Sequence, residues 1–481
     1  MPPPVVVASN RGPVSFVRSE DGHIEVRRGQ GGLVTALTGA LEAWGGLWVA
    51  AAMTEEDRRQ TVRGGVDVEG AAFRVRSLRF DPHVYNGFYN GISNRLLWFA
   101  HHELWDLPRT PRFDAGTRAS WRSYVAVNEA FAACLAEEAE GLSAPPVYLV
   151  QDYHLSLVPA MLRERRPEGR IAHFSHIPFA NPDAFRIVPA ELRTTLLRGL
   201  LGADVVGFHT SRWARNFLLG CRDLVNASVD LHRRVVHWEG RVVRVAINPI
   251  SIDGRALRAK ASEPDPIRAA QSLRSKLGDA VALVLRVDRT DLSKNILRGL
   301  QAFETLLRDH PEWRERVVHV ALLNPSRQDV AEYRRYLAEC VREGRRINRE
   351  LGTPTWQPVH VRLHDDYAGT LGAYREYDVL LVNPVVDGMN LVAKEGPVLN
   401  ERDGVLVLSE NAGAHAELGP YALTINPFDV QATADAIHRG LCMEPNERAR
   451  RVKGLRAAVR RNRLEAWVER QLADVDRSAR P

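Results

Sequence analysis

Two positively charged residues stand close together in the second half of the sequence, in the segment VDRTDLSKN. Arg289 and Lys294 follow an apolar run, Ala280–Leu285, that has the composition of a buried strand. Ser293 is suited to cap the helix predicted to follow. Because a diphosphate carries two or more negative charges, two cations beside a helix N-terminus predict a diphosphate site. A surface cluster of these cations with the neighbouring aspartates is the less favoured interpretation.

A second polar segment, VVDGMNLVAKE, follows the apolar run Val379–Val382. Asp387 and Gly388 predict a turn. The residues from Leu391 onward predict a helix start, whose free N–H groups could face an anion. Glu395 falls in the first turns of that helix, where a negative charge is favourable. The segment is either a turn before a surface helix or one wall of a ligand site, and alone it does not decide between them.

Polar residues in the first half also follow apolar runs. Arg11 follows the first run and could bind an anion. Asp152 and His154 follow a later run, and His176 follows the next one. Polar clusters at neighbouring strand ends favour a functional site over isolated structural histidines. The segment Tyr85–Trp105 is dense in aromatic, Asn and His residues, a composition that suits a sugar site but also a packed loop.

Glycines precede a helical pattern near the start of the chain, in RGQGGLVTAL. Gly29, Gly31 and Gly32 come before apolar residues that recur at helical spacing from Leu33 to Trp44. Glycine lets the backbone approach a ligand closely, and the helix start offers N–H groups to a phosphate. A plain loop would give a similar pattern, so this signal is weak.

The elements that position these residues alternate between apolar β-branched runs and helical patterns, which predicts an α/β fold with doubly wound parallel sheets. The predicted strands are Val5–Ala8, Leu47–Ala51, Val147–Val150, Ile171–Phe174, Val205–Phe208, Val242–Ile247, Ala280–Leu285, Val317–Leu323, Val359–Leu363, Val379–Val382 and Val405–Leu408. In such sheets ligands bind beyond the carboxyl ends of the strands. The Pro- and Gly-rich segment Ala246–Pro266 predicts a boundary between domains 1–246 and 247–462, with a C-terminal helix at about 463–481 that packs back on the first domain.

Composition excludes several classes of protein. The 481 residues are 45% hydrophobic and 26% charged with a net charge of +6, and no apolar run reaches the ~18–20 residues of a membrane span. The start of the chain lacks the pattern of a signal peptide. The four cysteines form no CxxC pair, which predicts reduced thiols in a cytoplasmic protein. The basic runs interleave with acidic or apolar residues, so nucleic-acid binding is not expected.

Taken together, these segments resemble the trehalose-6-phosphate synthase family. The matching motifs are VVVASNR, GGLVTALTGALEAWGGLW, QDYHL, HIPF, VDRTDLSKN, NPSRQDV, VVDGMNLVAKE and TINPFD, which span nearly the whole chain. The resemblance implies a GT-B fold, with two facing Rossmann-like domains and the active site in the cleft between them. It implies retaining transfer of glucose from a nucleotide-glucose to glucose 6-phosphate, without a metal or cofactor. The product would stay phosphorylated for a separate phosphatase, and a homo-oligomer is one option.

The resemblance also implies a role for each polar residue. Residues that match the acceptor-binding positions are Arg11, Tyr89, Trp98, Asp152 and Arg327. Residues that match the donor-binding positions are Gly31, Gly32, His176, Arg289, Lys294, Asp387, Gly388, Met389, Asn390, Leu391, Val392 and Glu395. Those expected at the reacting centre are Asp152, His176, Arg289, Lys294 and Asp387. Catalysis would rest mainly on stabilising the charge of the departing diphosphate.

Some positions depart from the family pattern. Asn295 stands where many relatives have glycine, and Gln151 stands where histidine is usual. Pro397 would remove a backbone hydrogen bond to Ala393 and kink the predicted helix. Arg362 stands where relatives often have an apolar residue. Because arginine presents paired donors that match O6 and N7 of guanine, Arg362 predicts GDP-glucose as the donor rather than UDP-glucose.

Other functions remain open at this point. A pseudo-glycosyltransferase of the validoxylamine phosphate synthase type shares the NERD segment and the KN variant, whereas Arg11 and the unaltered DGMNLVAKE favour the sugar enzyme. An enzyme forming glucosylglycerol phosphate is a second alternative. A non-catalytic sugar-phosphate sensor is a third, disfavoured because the residues expected to contact the diphosphate and glucose are all retained.

Overall fold

The computed structural model describes residues 3–478 apart from 20, 22, 30–33, 35–36, 39–40, 42–44, 69–70, 143, 279 and 364. The chain divides into two compact units. The first comprises Met1–Ile250 together with Leu464–Pro481, and the second comprises Ser251–Arg463. The chain therefore leaves the first unit once and returns to it near its C-terminal end.

The first unit is built on a large, mostly parallel sheet. Its strands are β1 (Val5–Ser9), β4 (Gly46–Ala51), β5 (Val66–Asp67), β6 (Phe73–Leu78), β7 (Val147–Gln151), β8 (Arg170–Phe174), β9 (Val205–Phe208), β10 (Ser228–Asp230), β11 (Val235–Trp238) and β12 (Arg241–Ile247). The order is β10-β11-β12-β9-β8-β7-β1-β4-β6-β5, and only the outer strands β5, β10 and β11 pair antiparallel. A separate antiparallel pair is formed by β2 (Val14–Arg18) and β3 (Ile24–Arg28).

Helices cover the faces of this sheet. Among the described residues they are Glu55–Arg59, Pro82–Asn86, Gly87–Leu97, Trp98–His101, Ala115–Ala139, Tyr153–Leu155, Val158–Arg165, Pro182–Phe185, Ala190–Leu201, Ser211–Val225 and Leu464–Ser478. Gly87–Leu97 is a π-helix and Tyr153–Leu155 a 3-10 turn. The C-terminal helix packs on β8, β9 and β12, where the Trp467 indole N–H donates to the carbonyl of Asn248 at 3.1 Å.

The second unit is built on a fully parallel sheet. Its strands are β13 (Ala282–Arg289), β14 (Val317–Asn324), β15 (Val359–Leu363), β16 (Val379–Val382), β17 (Val405–Ser409) and β18 (Leu423–Ile425), in the order β15-β14-β13-β16-β17-β18. Its helices, among the described residues, are Gly254–Ala261, Pro264–Leu277, Leu292–Lys294, Ile296–Asp309, Pro311–Trp313, Ala331–Leu351, Tyr367–Glu376, Val392–Leu399, His415–Leu418, Gly419–Tyr421, Val430–Leu441 and Pro445–Arg461.

The predicted α/β class and parallel sheets are confirmed, and each predicted apolar run forms or overlaps a strand. β6 was not predicted, because its sequence FRVRSL alternates buried apolar with charged residues at the sheet margin. The predicted helix near Leu33 falls largely outside the described residues, although Leu37 and Leu41 are helical and buried. None of the helices formed by the described residues is long and apolar enough to cross a membrane.

Candidate active site

An ion pair between two strand ends organises the polar residues of the second unit. Lys294 ends the 3-10 turn after β13, and Asp387 follows β16. The Lys294 ammonium lies 2.5 Å from Asp387 Oδ2, and both side chains are about one-seventh exposed (13% and 14%). Asn390 Nδ2 donates to the same carboxylate oxygen at 3.1 Å. The structure thus brings together three of the residues predicted to contact the donor.

The turn that carries Asp387 is fixed by its backbone. Asn390 has a φ of 74°, in the left-handed region that asparagine tolerates better than most residues. Its Oδ1 accepts from the N–H of Ala393 at 3.3 Å, within the first turn of helix Val392–Leu399. A Cβ added to Gly413 would lie 2.0 Å from the carbonyl oxygen of Gly388, so only glycine allows this close approach. The segment Gly388–Val392, predicted to contact the donor, is therefore held in one conformation.

Asn295, one of the departures from the family pattern, has a structural explanation. Its φ is 57°, also in the left-handed region, which accounts for the glycine of many relatives. Its buried Nδ2 donates to the carbonyls of Asn383 at 3.0 Å and Pro427 at 2.7 Å. Asparagine here therefore ties the turn carrying Lys294 to the end of β16 and to the loop after β18.

A buried arginine that sequence reasoning missed supports the same turn. Arg286, on β13, is fully buried, and its Nη1 donates to Asp288 Oδ2 and to the carbonyl of Lys294, each at 3.0 Å. Burial raises the pKa of Asp288 to about 6. A single charged residue inside the apolar run LVLRV was the available signal, because a buried cation needs a partner.

Arg289 and Arg327 lie at the ends of adjacent parallel strands. Arg289 is the last residue of β13 and is exposed, in register with Asn324 at the end of β14. Arg327 follows β14, and its side chain is only 7% exposed. Its Nη1 donates to Asp291 at 2.6 Å and to the Tyr333 hydroxyl oxygen at 2.9 Å. Arg327 is thus oriented by a buried carboxylate, with its charge partly balanced before any ligand binds.

Glu395 lies in helix Val392–Leu399, where Tyr374 donates a hydrogen bond to its Oε2 at 3.2 Å. Burial raises the pKa of Glu395 above its ordinary value. Pro397 lies in the same helix, which ends at Leu399, and the Pro397 carbonyl accepts from Arg456 Nε at 2.9 Å. Pro397 lies beyond the first turn of this helix, and it has no N–H to donate to the carbonyl of Ala393.

Arg362 lines a cavity of about 460 Å³ on the second unit. The cavity lies among β14, β15 and the helices Pro264–Leu277 and Tyr367–Glu376, and Asp366, Lys276 and Thr370 also contribute to its wall. Asp366 caps the second helix by accepting from the N–H of Gly369 at 2.8 Å. The guanidinium of Arg362 and the carboxylate of Asp366 therefore belong to residues that line the same cavity.

In the first unit, aromatic rings form a stack that reaches the predicted anion-binding arginine. Tyr85, Tyr89 and His154 stack in sequence, with centroids 5.7 and 5.8 Å apart and planes within 12° of parallel. Arg11, which is exposed, lies with Nη2 3.5 Å from the Tyr89 hydroxyl. Trp98 is instead buried, with its ring 3.9 Å from that of His102. Arg11 and Tyr89 are therefore brought together beside the end of β1.

Asp152 has a backbone conformation that is unfavourable for a residue other than glycine, so neighbouring residues must stabilise it. Its φ is 73°, and its N–H donates to the carbonyl of Phe174 at 2.7 Å. Its carboxylate accepts from the backbone N–H of His176 at 3.2 Å and lies 3.8 Å from His154 Nδ1. Strained backbone at a strand end is frequent at functional sites. The structure thus joins the predicted residues at the ends of β7 and β8.

Gln151 completes this arrangement. His176 Nε2 lies within hydrogen-bond distance of Gln151 Oε1, at 3.0 Å. Burial lowers the pKa of His176 well below its ordinary value, with further lowering from His209 and His173. His176 is therefore a neutral imidazole near neutral pH. Gly31 and Gly32, predicted to contact the donor, lie outside the described residues.

Two α/β units on parallel sheets, each with charged and polar side chains at its strand ends, define a glycosyltransferase of the GT-B class. The model of glycosyltransferase family 20 matches residues 3–477. The chain belongs to glycosyltransferase family 20, and the resemblance inferred from its motifs is confirmed.

The chain is similar to proteins with two different names. A trehalose-6-phosphate synthase of Mycolicibacterium paratuberculosis is 37% identical over 479 residues, covering 96% of this chain and 93% of that protein. A validamine 7-phosphate valienyltransferase of Streptomyces hygroscopicus subsp. jinggangensis is 36% identical over 456 residues, covering 92% and 88%. Among solved structures, an α,α-trehalose-phosphate synthase (UDP-forming) of Burkholderia vietnamiensis has a TM-score of 0.85 at 32% identity, covering 98% of this chain and 100% of that one.

Proposed function

We propose that this chain is an α,α-trehalose-6-phosphate synthase that transfers glucose from a nucleotide-glucose to glucose 6-phosphate with retention of configuration. The observation that carries the proposal is the cluster of Lys294, Asp387 and Asn390 at adjacent strand ends. It supplies a cation for a diphosphate and a carboxylate for sugar hydroxyls. The similarity to a trehalose-6-phosphate synthase over 96% of the chain supports the same reading.

The chemistry follows from the charges at this cluster. Departure of the nucleotide places negative charge on a diphosphate, which Arg289, Lys294 and the N–H groups at the start of helix Val392–Leu399 would stabilise. The leaving phosphate itself takes the proton of the acceptor hydroxyl on the same face of the sugar, so configuration is retained without a protein nucleophile. No metal ion is required, because side chains meet the charge.

The first unit is proposed to bind the acceptor and the second unit the donor. Arg11 and Tyr89 would hold the phosphate of glucose 6-phosphate, and Asp152 its sugar hydroxyls. Neutral His176 would present its imidazole for hydrogen bonding to the donor sugar. Arg327, which lies on the second unit, would add a charge to the acceptor phosphate. The enzyme would act in the cytoplasm, and a separate phosphatase would remove the product's phosphate.

GDP-glucose is the proposed donor. Guanine presents acceptors at O6 and N7, which match the paired donors of Arg362, and it presents N–H groups at N1 and N2, which suit a carboxylate. Arg362 and Asp366 line the same cavity, so both edges could be recognised there. Uracil lacks the N7 acceptor and the exocyclic amino group and would use this cavity less fully.

The test is incubation of the purified chain with glucose 6-phosphate and GDP-glucose or UDP-glucose. We expect trehalose 6-phosphate, with NMR couplings showing that both anomeric carbons of its single glycosidic linkage are α, faster turnover of GDP-glucose, and no effect of a chelator. Arg362→Ala should reduce turnover of GDP-glucose more than that of UDP-glucose, whereas the cavity neighbour Lys276→Ala should not discriminate. Faster turnover of UDP-glucose, unchanged by Arg362→Ala, would contradict the donor assignment alone.

A second candidate function rests on the similarity to a validamine 7-phosphate valienyltransferase. Under this alternative the chain joins two cyclitols and leaves glucose 6-phosphate unused. The same assay separates the two functions, because absence of a disaccharide phosphate, together with coupling of a nucleotide-activated cyclitol to a cyclitol phosphate, would replace the synthase proposal.

A further inference from the structure

A cluster of metal-ligand side-chain types lies on the second unit, outside the donor residues. His310 and Glu312 lie directly after helix Ile296–Asp309, and His438 lies in the last turn of helix Val430–Leu441. One ligand atom from each of these three side chains lies within 4.8 Å of those of the other two. The cluster therefore joins the ends of two helices that pack together.

Cys442 lies next to this group of three and contacts His438. It directly follows helix Val430–Leu441, four residues after His438, so the two side chains share a helix face. Its Sγ lies 3.8 Å from His438 Nε2. Cys442 is exposed, whereas Cys134, Cys221 and Cys340 are buried. The accessible thiol of this chain is thus the one beside the two imidazoles.

The donor set indicates which ion would bind. Two imidazoles, a carboxylate and a thiolate are the ligands that tetrahedral Zn²⁺ prefers, whereas Ca²⁺ and Mg²⁺ take oxygen ligands. Glu312 and the nearby Asp435 supply negative charge around the imidazoles. The chemistry therefore favours a borderline divalent transition metal.

The side chains must rearrange slightly to bind an ion. The rings of His310 and His438 are stacked, with centroids 3.6 Å apart and planes at 5°, so their lone pairs do not converge. The Trp313 indole N–H also donates to His438 Nδ1 at 3.1 Å. Rotation about χ2 of histidine is soft, and the His310 side chain is 30% exposed. Because binding replaces one hydrogen bond, we expect micromolar rather than tighter affinity.

The cluster is separated from the donor residues by the length of a helix. Helix Ile296–Asp309 has 14 residues, which span about 21 Å at about 1.5 Å per residue. Lys294 precedes its first turn and His310 follows its last. Occupation of the cluster would therefore not place an ion against the reacting groups.

We propose that a divalent cation of the Zn²⁺ type binds at a site formed by His310, Glu312, His438 and Cys442. The ion fastens the ends of helices Ile296–Asp309 and Val430–Leu441. Because it binds the folded chain, it also raises the stability of the second unit.

The test is titration of the full chain, stripped with a chelator, with Co²⁺ and then with Zn²⁺. We expect one equivalent of Co²⁺ with the visible bands of tetrahedral coordination and a thiolate charge-transfer band, both removed by Zn²⁺. Cys442→Ser should abolish the charge-transfer band, and His438→Ala should weaken binding at least about tenfold. His237→Ala, an exposed histidine of the first unit, is the matched control and should bind normally.

Alkylation of Cys442 in the wild-type chain provides a readout that does not depend on the stability of the histidine variant. Zn²⁺ should protect Cys442 from iodoacetamide in the wild-type chain and protect it less in His438→Ala. Absence of Co²⁺ binding, binding unaffected by either cluster variant, or alkylation unchanged by Zn²⁺ would each overturn the proposal.

Discussion

The Lys294 ammonium and the Asp387 carboxylate lie 2.5 Å apart, across the gap between the ends of β13 and β16. The cation proposed for the diphosphate and the carboxylate proposed for the sugar are therefore one hydrogen-bonded pair. Each holds the other in position, and Asn390 restricts the carboxylate further. A substitution at either residue should therefore alter the other's contact with the donor.

Replacing Lys294 should reduce turnover strongly. Lys294→Ala removes a charge from the leaving diphosphate, so we expect kcat to fall by about 10²–10³. Asp387→Asn, which keeps the shape but loses the charge, should raise KM as well. Arg308→Ala is the matched control, because the Arg308 side chain is about half exposed and pairs with Glu304 and Glu350 rather than with a residue of the proposed site. Equal losses in Lys294→Ala and Arg308→Ala would contradict the role of Lys294.

The side chain and the backbone conformation of Asn295 should make separate contributions to the free energy of unfolding. Asn295→Gly loses the hydrogen bonds to Asn383 and Pro427 but keeps the left-handed φ without strain. Asn295→Ala loses the same bonds and adds backbone strain, which costs about 1–2 kcal/mol. We therefore expect alanine to lower the free energy of unfolding more than glycine does. Urea denaturation of the two variants measures the difference, and a more stable alanine variant would contradict it.

The close approach between Gly413 and Gly388 should not tolerate a methyl group. In Gly413→Ala the new Cβ would lie 2.0 Å from a backbone oxygen, so the turn bearing Asp387 must move. Displacement of a binding turn by about 1 Å costs about 10²-fold in turnover. Gly254→Ala, where the nearest atom would lie 3.5 Å away, is the control and should leave kcat unchanged. Normal kinetics in Gly413→Ala would show that the turn is not needed in this conformation.

The two units should differ in their response to acid. In the first unit, burial lowers the pKa of His101 to about 3 and that of His173 to about 4, and it lowers that of His176 well below its ordinary value. A histidine with a lowered pKa in the folded state stabilises above its unfolded pKa near 6.5, and that stability falls as pH drops. Between pH 6.5 and 5 His101 and His173 should each cost roughly 1.5 kcal/mol, and His176 should act in the same direction.

In the second unit the histidines and the buried acids have opposite effects on stability as pH falls. Burial lowers the pKa of His319 to about 3, but it raises that of Asp288 to about 6 and also raises that of Glu395. Acids with a raised pKa favour the folded state as pH falls, so they offset part of the stability lost through His319 and through His360 and His415, whose pKa values burial also lowers. Hydrogen exchange at pH 6.5 and 5 should therefore show protection lost first in the first unit. Equal loss in both units would contradict this balance.

The sequence predicted the strands of the two sheets better than it predicted the residues that hold the candidate site in place. Continuous Val, Ile and Leu runs identify buried parallel strands, because both faces of such strands must be apolar. Arg286 was missed since a cation in such a run has no partner visible in sequence; its contacts with Asp288 and the Lys294 carbonyl arise only when β13 and the following turn fold.

The residues predicted to follow strands do lie near strand ends, but their hydrogen-bond partners were not predictable. Gln151 Oε1 lies 3.0 Å from His176 Nε2, and Asn295 donates to the carbonyl of Pro427, 132 positions away along the chain. Such pairings depend on which strands are neighbours in the sheet, and the order of the strands cannot be predicted from short sequence segments. The burial of Trp98 against His102 likewise follows from the winding of the helical segment that contains both.

The first unit contains residues from both ends of the chain, since helix Leu464–Ser478 covers β8, β9 and β12. During synthesis on the ribosome, the N-terminal unit is therefore left without this cover until the second unit has been made. Translation pauses or premature termination within the second unit would expose the apolar surface of a unit whose strands were made long before. The need for chaperones should therefore end when helix Leu464–Ser478 has been made, rather than when the sheet of the first unit leaves the ribosome.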